Sequence, residues 1–297
     1  MIRSRRRKFA LIALLLAGLA LLFATGSHSH TRWSKIQSEN FDYFYLEDQG
    51  IDTQKAACAL ERLEWFWELV APVWDFPGDK RIAYYKHASR EDLKEATGRD
   101  TNALAFLNRY TVHTINYADA HEVSHLLTTQ FLFCRYRSCH LSLFWLEGLA
   151  MYYTWPLIYF CEGENILHQS LLGTWQGRTV HCHARDLLAE GNLLEVGPCI
   201  YEDSYFKSLD VQASYPAAGS FITYLLGPAH VDPEAFENFK IFLAGTNQAR
   251  SEEEVREIFA EVFGAPLEEV EASWHQFLRD WCVEGHSAYC KCNSLPT

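Results

Sequence analysis

A single glutamate interrupts an otherwise apolar stretch of the chain. Residues 144–153 read Phe-Trp-Leu-Glu-Gly-Leu-Ala-Met-Tyr-Tyr, with Glu147 as the only charged group. The apolar run predicts a helix over about residues 143–155, stopped by Pro156. A carboxylate buried without a partner costs several kcal/mol, so the fold must bring a cation or strong donors to Glu147. An ion pair with Arg135 or Arg137 would serve, and so would a metal ion. Gly148 and Ala150 are small enough to let a second helix approach closely.

The metal reading gains support 22 residues upstream, at His121-Glu122-Val123-Ser124-His125. On a helix, positions i and i+4 share a face, so both imidazoles can reach one ion at about 2.0–2.1 Å. Glu122 lies beside the first histidine, where it can take a proton from water held there. Leu126, Leu127 and Phe131 give this helix, expected over about residues 117–133, an apolar side. The alternative is an amphipathic helix with surface histidines. His121, His125 and Glu147 together form a His₂Glu set, with zinc the expected cofactor.

The rest of the chain sets the frame. Phe41, Tyr43 and Tyr45 open a first strand, and 81–86, 103–107 and 110–115 read as further strands. A helix is expected over residues 53–71, and Ser89 with Asp92 forms a capping box that opens a short one. Later segments at 211–226, 233–244, 251–263 and 266–281 have helical spacing, with Ser251 and Glu254 as a second capping box. Strands early and helices late predict an α+β fold: an N-terminal mixed sheet with the His-bearing helix, then a mostly helical C-terminal half. The expected division is a segment at 1–26, a linker at 27–39, an α/β part at 40–140, a helical part with the third ligand at 141–281, and a Cys-containing tail at 282–297.

Arg3, Arg5, Arg6, Arg7 and Lys8 precede an uncharged run from Phe9 to Ala24, followed by small residues. This reads as a signal peptide or a retained signal-anchor, and both place the domain outside the cytoplasm: secreted, periplasmic or membrane-anchored. The chain carries a formal charge of −12, or about −17 beyond residue 26. A phosphate backbone would be repelled, so nucleic acid is excluded as a partner. An exported chain with nine cysteines predicts disulfides. Cys134 and Cys139, bracketing a short polar loop, are the favoured pair, and no CxxC spacing supports cysteine-bound zinc. His181-Cys182-His183 alternates like a strand. It reads as loop residues around a disulfide, or as a metal site with His168. His113, on the strand before the His-bearing helix, is a candidate for lining a cleft.

The two motifs, His-Glu-Val-Ser-His at 121–125 and Trp-Leu-Glu-Gly-Leu-Ala at 145–150, resemble the zinc-binding helices of the gluzincin, peptidase MA-like metallopeptidases. Ser214-Tyr215-Pro216-Ala217-Ala218-Gly219 resembles a third segment of that family. The resemblance implies a zincin-like fold over roughly residues 40–280. It also implies that Tyr215 donates a hydrogen bond to the oxyanion; without it, Tyr215 reads as a core aromatic. The sequence departs from the family in two places. Residues 103–110 read Ala-Leu-Ala-Phe-Leu-Asn-Arg-Tyr, without the Gly-x-Met-x-Asn strand of the related aminopeptidases. Met151 stands where some relatives carry an aspartate that orients a zinc histidine. Asp119 is a substitute for that aspartate, or a helix N-terminal charge.

These readings predict a zinc-dependent peptidase, an endopeptidase acting on a peptide or protein substrate, with Glu122 as general base and Tyr215 as oxyanion donor. The N-terminal apolar segment would provide any membrane anchoring, and oligomeric state is left open. The alternative is an inactive extracellular peptide-binding domain that keeps the same fold.

Overall fold

The computed structural model describes residues 33–136, 139–154, 173–227 and 232–281. The N-terminal apolar segment, His168 and the Cys-containing tail lie outside them. Five strands form one sheet: β1 (Ser34–Gln37), β2 (Phe41–Tyr45), β3 (Ile82–Lys86), β4 (Ala103–Phe106) and β5 (Thr111–Thr114), in the order β1-β2-β3-β5-β4. The central β2, β3 and β5 run parallel, and the two edge strands are antiparallel to their neighbours. The sheet is therefore mixed, as expected.

Strict alternation along β2 and β3 decides which face is covered. Phe41, Tyr43, Ile82, Tyr84 and Val112 are fully buried on the inner face. Tyr43 and Tyr84 stack there at 4.9 Å. Helix α1 (Thr53–Val70) buries Ala56, Ala59, Leu63 and Phe66, and its first turn is capped by Asp52, which accepts from the amides of Gln54 and Lys55. On the outer face Phe44, Tyr85 and His113 stack across three strands at 4.6 Å spacings. Helix α2 (Arg90–Thr97) starts at the Ser89–Asp92 capping box, which is complete.

Two elements differ from the sequence reading. The linker expected at 27–39 contains β1, a polar edge strand paired with β2. His181, Cys182 and His183 form neither strand nor loop. They open helix α5 (Val180–Glu190), whose first turn is capped by Thr179 accepting from the Cys182 amide.

Helix α3 (Ala120–Tyr136) carries the histidines, and α4 (Leu143–Tyr152) carries Glu147. A hairpin of β6 (Thr174–Trp175) and β7 (Arg178–Thr179) precedes α5. Its turn places Gln176 at φ 49° and Gly177 at φ 74°, the left-handed pair that matches strand twist in a two-residue turn. After α5 come α6 (Asp203–Ser208), α7 (Val211–Leu226), α8 (Pro233–Thr246), α9 (Glu252–Phe263) and α10 (Leu267–Asp280). The α+β order is thus strands first and helices later. Ser251 caps α9, but the Glu254 carboxylate accepts from the Arg250 amide, so the second box is only half closed.

Helices α4 and α7 approach closely, and glycines allow it. A Cβ on Gly148 would stand 2.9 Å from Ile222 Cγ1 and 3.1 Å from the Ala218 carbonyl. A Cβ on Gly219 would stand 2.5 Å from Met151 Cβ. Around this crossing Trp145 packs on Phe221, Phe239 and Phe242, and its indole N–H donates to the Ile200 carbonyl. Trp74 ties the two halves together, its indole N–H donating to the buried Tyr153 hydroxyl at 2.9 Å.

Candidate metal centre

Asp119 sets where α3 begins. One carboxylate oxygen accepts from the Glu122 amide at 3.2 Å; the other accepts from Thr114 Oγ1 at 2.9 Å and Asn116 Nδ2 at 2.8 Å. Of the two roles open to Asp119, these bonds are those of a helix cap, and they anchor the helix start to the end of β5. Val123, Leu126 and Leu127 are fully buried on one side of α3. His121 and His125 emerge one turn apart on the other, with rings perpendicular and centroids 4.9 Å apart.

Glu147 meets them from α4. Its Oε2 lies 3.2 Å from His121 Nε2 and 3.5 Å from His125 Nε2, and all three side chains are only about 15% exposed. Ligand atoms about 2.1 Å from a tetrahedrally bound ion stand about 3.4 Å apart, so the spacing and the donor types fit a metal ion. Among the described residues this is the one group of three His, Cys, Asp or Glu side chains that could hold one. Burial alone would raise the Glu147 carboxyl. The charge of His125 and hydrogen bonds from both imidazoles instead hold it well below the carboxylate range.

Glu122, half-buried, lines the same cleft. Burial pushes its carboxyl up to about 8; Asp119 and Glu147 add to the rise, while His125 and the Ala105 amide oppose it. Tyr215, in the second turn of α7, lies parallel to the His121 ring at 6.2 Å and lines the same cleft as Glu147. Burial first, and the Glu147 charge next, raise its hydroxyl, so it stays a donor at neutral pH. The sequence reading of Tyr215 as a plain core aromatic does not describe this position at the cleft.

The cleft measures about 880 Å³. One wall is β4, the open edge of the sheet, with Ala103, Leu104 and Ala105; Arg90 and Asp100, joined by an ion pair of 2.6 Å, lie at the same cleft. Trp175, Val211 and Gln212 also line the cleft. Trp175 is set by its indole N–H, which donates to Gln212 Oε1 at 3.0 Å, and by its carbonyl, which accepts from His183 Nε2 at 2.7 Å. A smaller hollow of about 460 Å³ between β1 and α1, lined by Glu61, Glu64 and Glu68, lies apart from these donors.

Several expectations are corrected here. His113 does not line the cleft; it faces the outer side of the sheet against Tyr85 and bonds His87 at 2.9 Å. His181 and His183 do not converge: the first bonds Ser220 Oγ at 2.9 Å in the core, the second the Trp175 carbonyl. Cys139 carries a free thiol, which rules out the Cys134–Cys139 pair, and Cys199 is a buried free thiol. Cys58 and Cys182 each take part in a disulfide.

Sequence reasoning missed Thr154 and Trp175. Thr154 follows α4 as one polar residue among aromatics, with nothing local to mark it. For Trp175 the only signal was Gln176-Gly177, a weak two-residue turn. No protein-family model matches the chain, and a search of curated proteins returned none similar to it.

Proposed function

We propose that this chain is a zinc-dependent peptidase of the zincin-like kind, acting as an endopeptidase on extended peptides outside the cytoplasm. The observation that supports this most is the convergence of His121 Nε2, His125 Nε2 and Glu147 Oε2 at one point, with the half-buried Glu122 lining the same cleft. Those three side chains would hold the ion. Bound there, zinc supplies Lewis acidity and lowers the pKa of water toward about 7.

The chain's own groups supply the rest. Glu122 accepts the proton of the attacking water on its carboxylate and returns it to the leaving amine. Burial, which raises the Glu122 carboxyl, favours its holding the proton between the two transfers, and a cation bound beside it would favour the carboxylate that accepts it. The Tyr215 hydroxyl, aimed at the Glu147 side of the cleft, donates to the oxygen on which negative charge develops. An extended peptide can add to the free edge of β4, which borders the cleft. Trp175 and Val211 offer apolar surface to a side chain in the same cleft.

Export is read from residues 1–26, and among the described residues no helix is long and apolar enough to cross a membrane. Glu122→Gln separates chemistry from binding. It should keep one zinc per chain and lose at least about 100-fold in peptide hydrolysis, the lower range for a general base. Hydrolysis at the wild-type rate would remove Glu122 from that role.

A further inference from the structure

The far side of the His121 ring is as well defined as the side that faces Glu147. His121 Nδ1 lies 3.1 Å from Thr154 Oγ1. Thr154 Oγ1 in turn lies 2.9 Å from the Ala150 carbonyl, one turn back at the end of α4. Met151 Sδ lies farther off, at 3.7 Å, and the Ala150 carbonyl, which can only accept, is the closest partner of the hydroxyl, so the geometry assigns the single Thr154 proton to Ala150. Toward His121 the same oxygen is then left with lone pairs alone. With that assignment the imidazole presents N–H at Nδ1, and a cation at the shared point takes the Nε2 lone pair in place of the contact with Glu147.

Thr154 is itself held in place. Its carbonyl accepts from the Thr174 amide at 2.9 Å and the Thr174 hydroxyl at 3.1 Å, which locks the end of α4 to the β6–β7 hairpin. The acceptor facing His121 is thus fixed by three bonds, two of them to main-chain groups. His121 becomes a ring clamped from behind, with its Nε2 directed at the point shared with His125 Nε2 and Glu147 Oε2.

We infer that Thr154 is a positioning residue for the metal centre: its hydroxyl oxygen fixes the proton of His121 on Nδ1 and so reserves the Nε2 lone pair for a cation. This rests on the metal-binding reading of the site. A wrong tautomer at His121 would leave an N–H where a lone pair is required, and the other two donors could not compensate.

The test uses the full-length chain, zinc alone as the probe, and two variants. Thr154→Val keeps the size and both bonds that the residue's carbonyl accepts from Thr174 but removes the acceptor facing His121; Thr154→Ser restores it. Chelator competition should show zinc affinity falling roughly 10- to 100-fold in Thr154→Val and staying within about threefold of wild type in Thr154→Ser. In ¹⁵N-histidine spectra, the wild type and Thr154→Ser should show a His121 Nδ1–H protected from solvent exchange, with and without zinc. Thr154→Val should lose that protection. Equal zinc affinity in wild type and Thr154→Val, or a His121 whose Nδ1 is bare, overturns the inference while leaving the metal site standing. A wild type that binds no zinc overturns the metal reading instead. The Nδ1–H signal then decides the Thr154 contact alone: its presence supports the contact and its absence overturns it.

Discussion

His121 Nε2 and Glu147 Oε2 stand 3.2 Å apart across 26 residues of chain, one on each of two neighbouring helices. The pair is mostly buried, and a second imidazole lies 3.5 Å from the same oxygen. A carboxylate held this way completes a three-donor set and answers the cost of its own burial. Glu147→Gln keeps the shape and removes the charge. Zinc affinity, measured by chelator competition, should fall by more than the roughly 10- to 100-fold that loss of an outer partner costs. A variant that binds zinc as the wild type does would remove Glu147 from the ligand set.

The crossing of α4 and α7 positions Glu147 and Tyr215 together, and it depends on the absence of two Cβ atoms. Gly219→Ala would place a methyl 2.5 Å from Met151 Cβ, and Gly148→Ala one 3.1 Å from main-chain atoms of Ala218. Each should destabilise the protein by about 1–3 kcal/mol, read from urea unfolding, and reduce peptide hydrolysis as the helices part. Gly264→Ala, with no atom within 4 Å but φ +74°, is the contrasting case: its strain is local and the metal centre should be untouched.

Tyr153→Phe tests the tie between the two halves. It would leave the Trp74 indole N–H buried without its acceptor. The expected loss is about 1–3 kcal/mol in urea unfolding, with metal affinity unchanged. A neutral effect on stability would show that the N–H finds another partner.

Three histidines should make the fold acid-sensitive. Burial pushes His87 and His113 down to about 4 and His181 down to about 3, from an ordinary 6.5. Above pH 6.5 these groups are neutral in both folded and unfolded chains and do not alter stability with pH. Between 6.5 and about 4 the unfolded chain takes up protons that the folded chain refuses, so stability falls as pH falls. Urea midpoints of the metal-free protein should decline through this window. The decline should flatten when His113, stacked on Tyr85 and met edge-on by Phe106, is replaced by Phe. An unchanged midpoint from pH 7 to 5 would contradict the burial of these rings.

Much of this was legible where local pattern and tertiary demand agree. The alternation of Phe41-Asp42-Tyr43-Phe44-Tyr45 became β2, and Ser89 with Asp92 became a closed capping box. The i, i+4 histidines and the isolated Glu147 pointed at each other because each has a chemical need that the other meets. What was missed depended on partners far along the chain. Ser34–Gln37 has one apolar residue and is a strand only because β2 offers it an edge. His181 to His183 alternates locally, yet Thr179 caps a helix there and Ser220, 39 residues on, receives the first ring. Which strand lies at the sheet edge is set by topology, and local pattern carries none of that. Thr154 gains its meaning only from the His121 ring brought to it by α3.

The most direct test of the account is the zinc content of the purified full-length chain, measured alongside its hydrolysis of a peptide library with and without a chelator. The account predicts about one zinc per chain, cleavage abolished by the chelator and restored by added zinc, and loss of both zinc and cleavage in a His121→Ala, His125→Ala double variant. A wild-type chain that holds no metal, or cleavage that the chelator leaves intact, would contradict it.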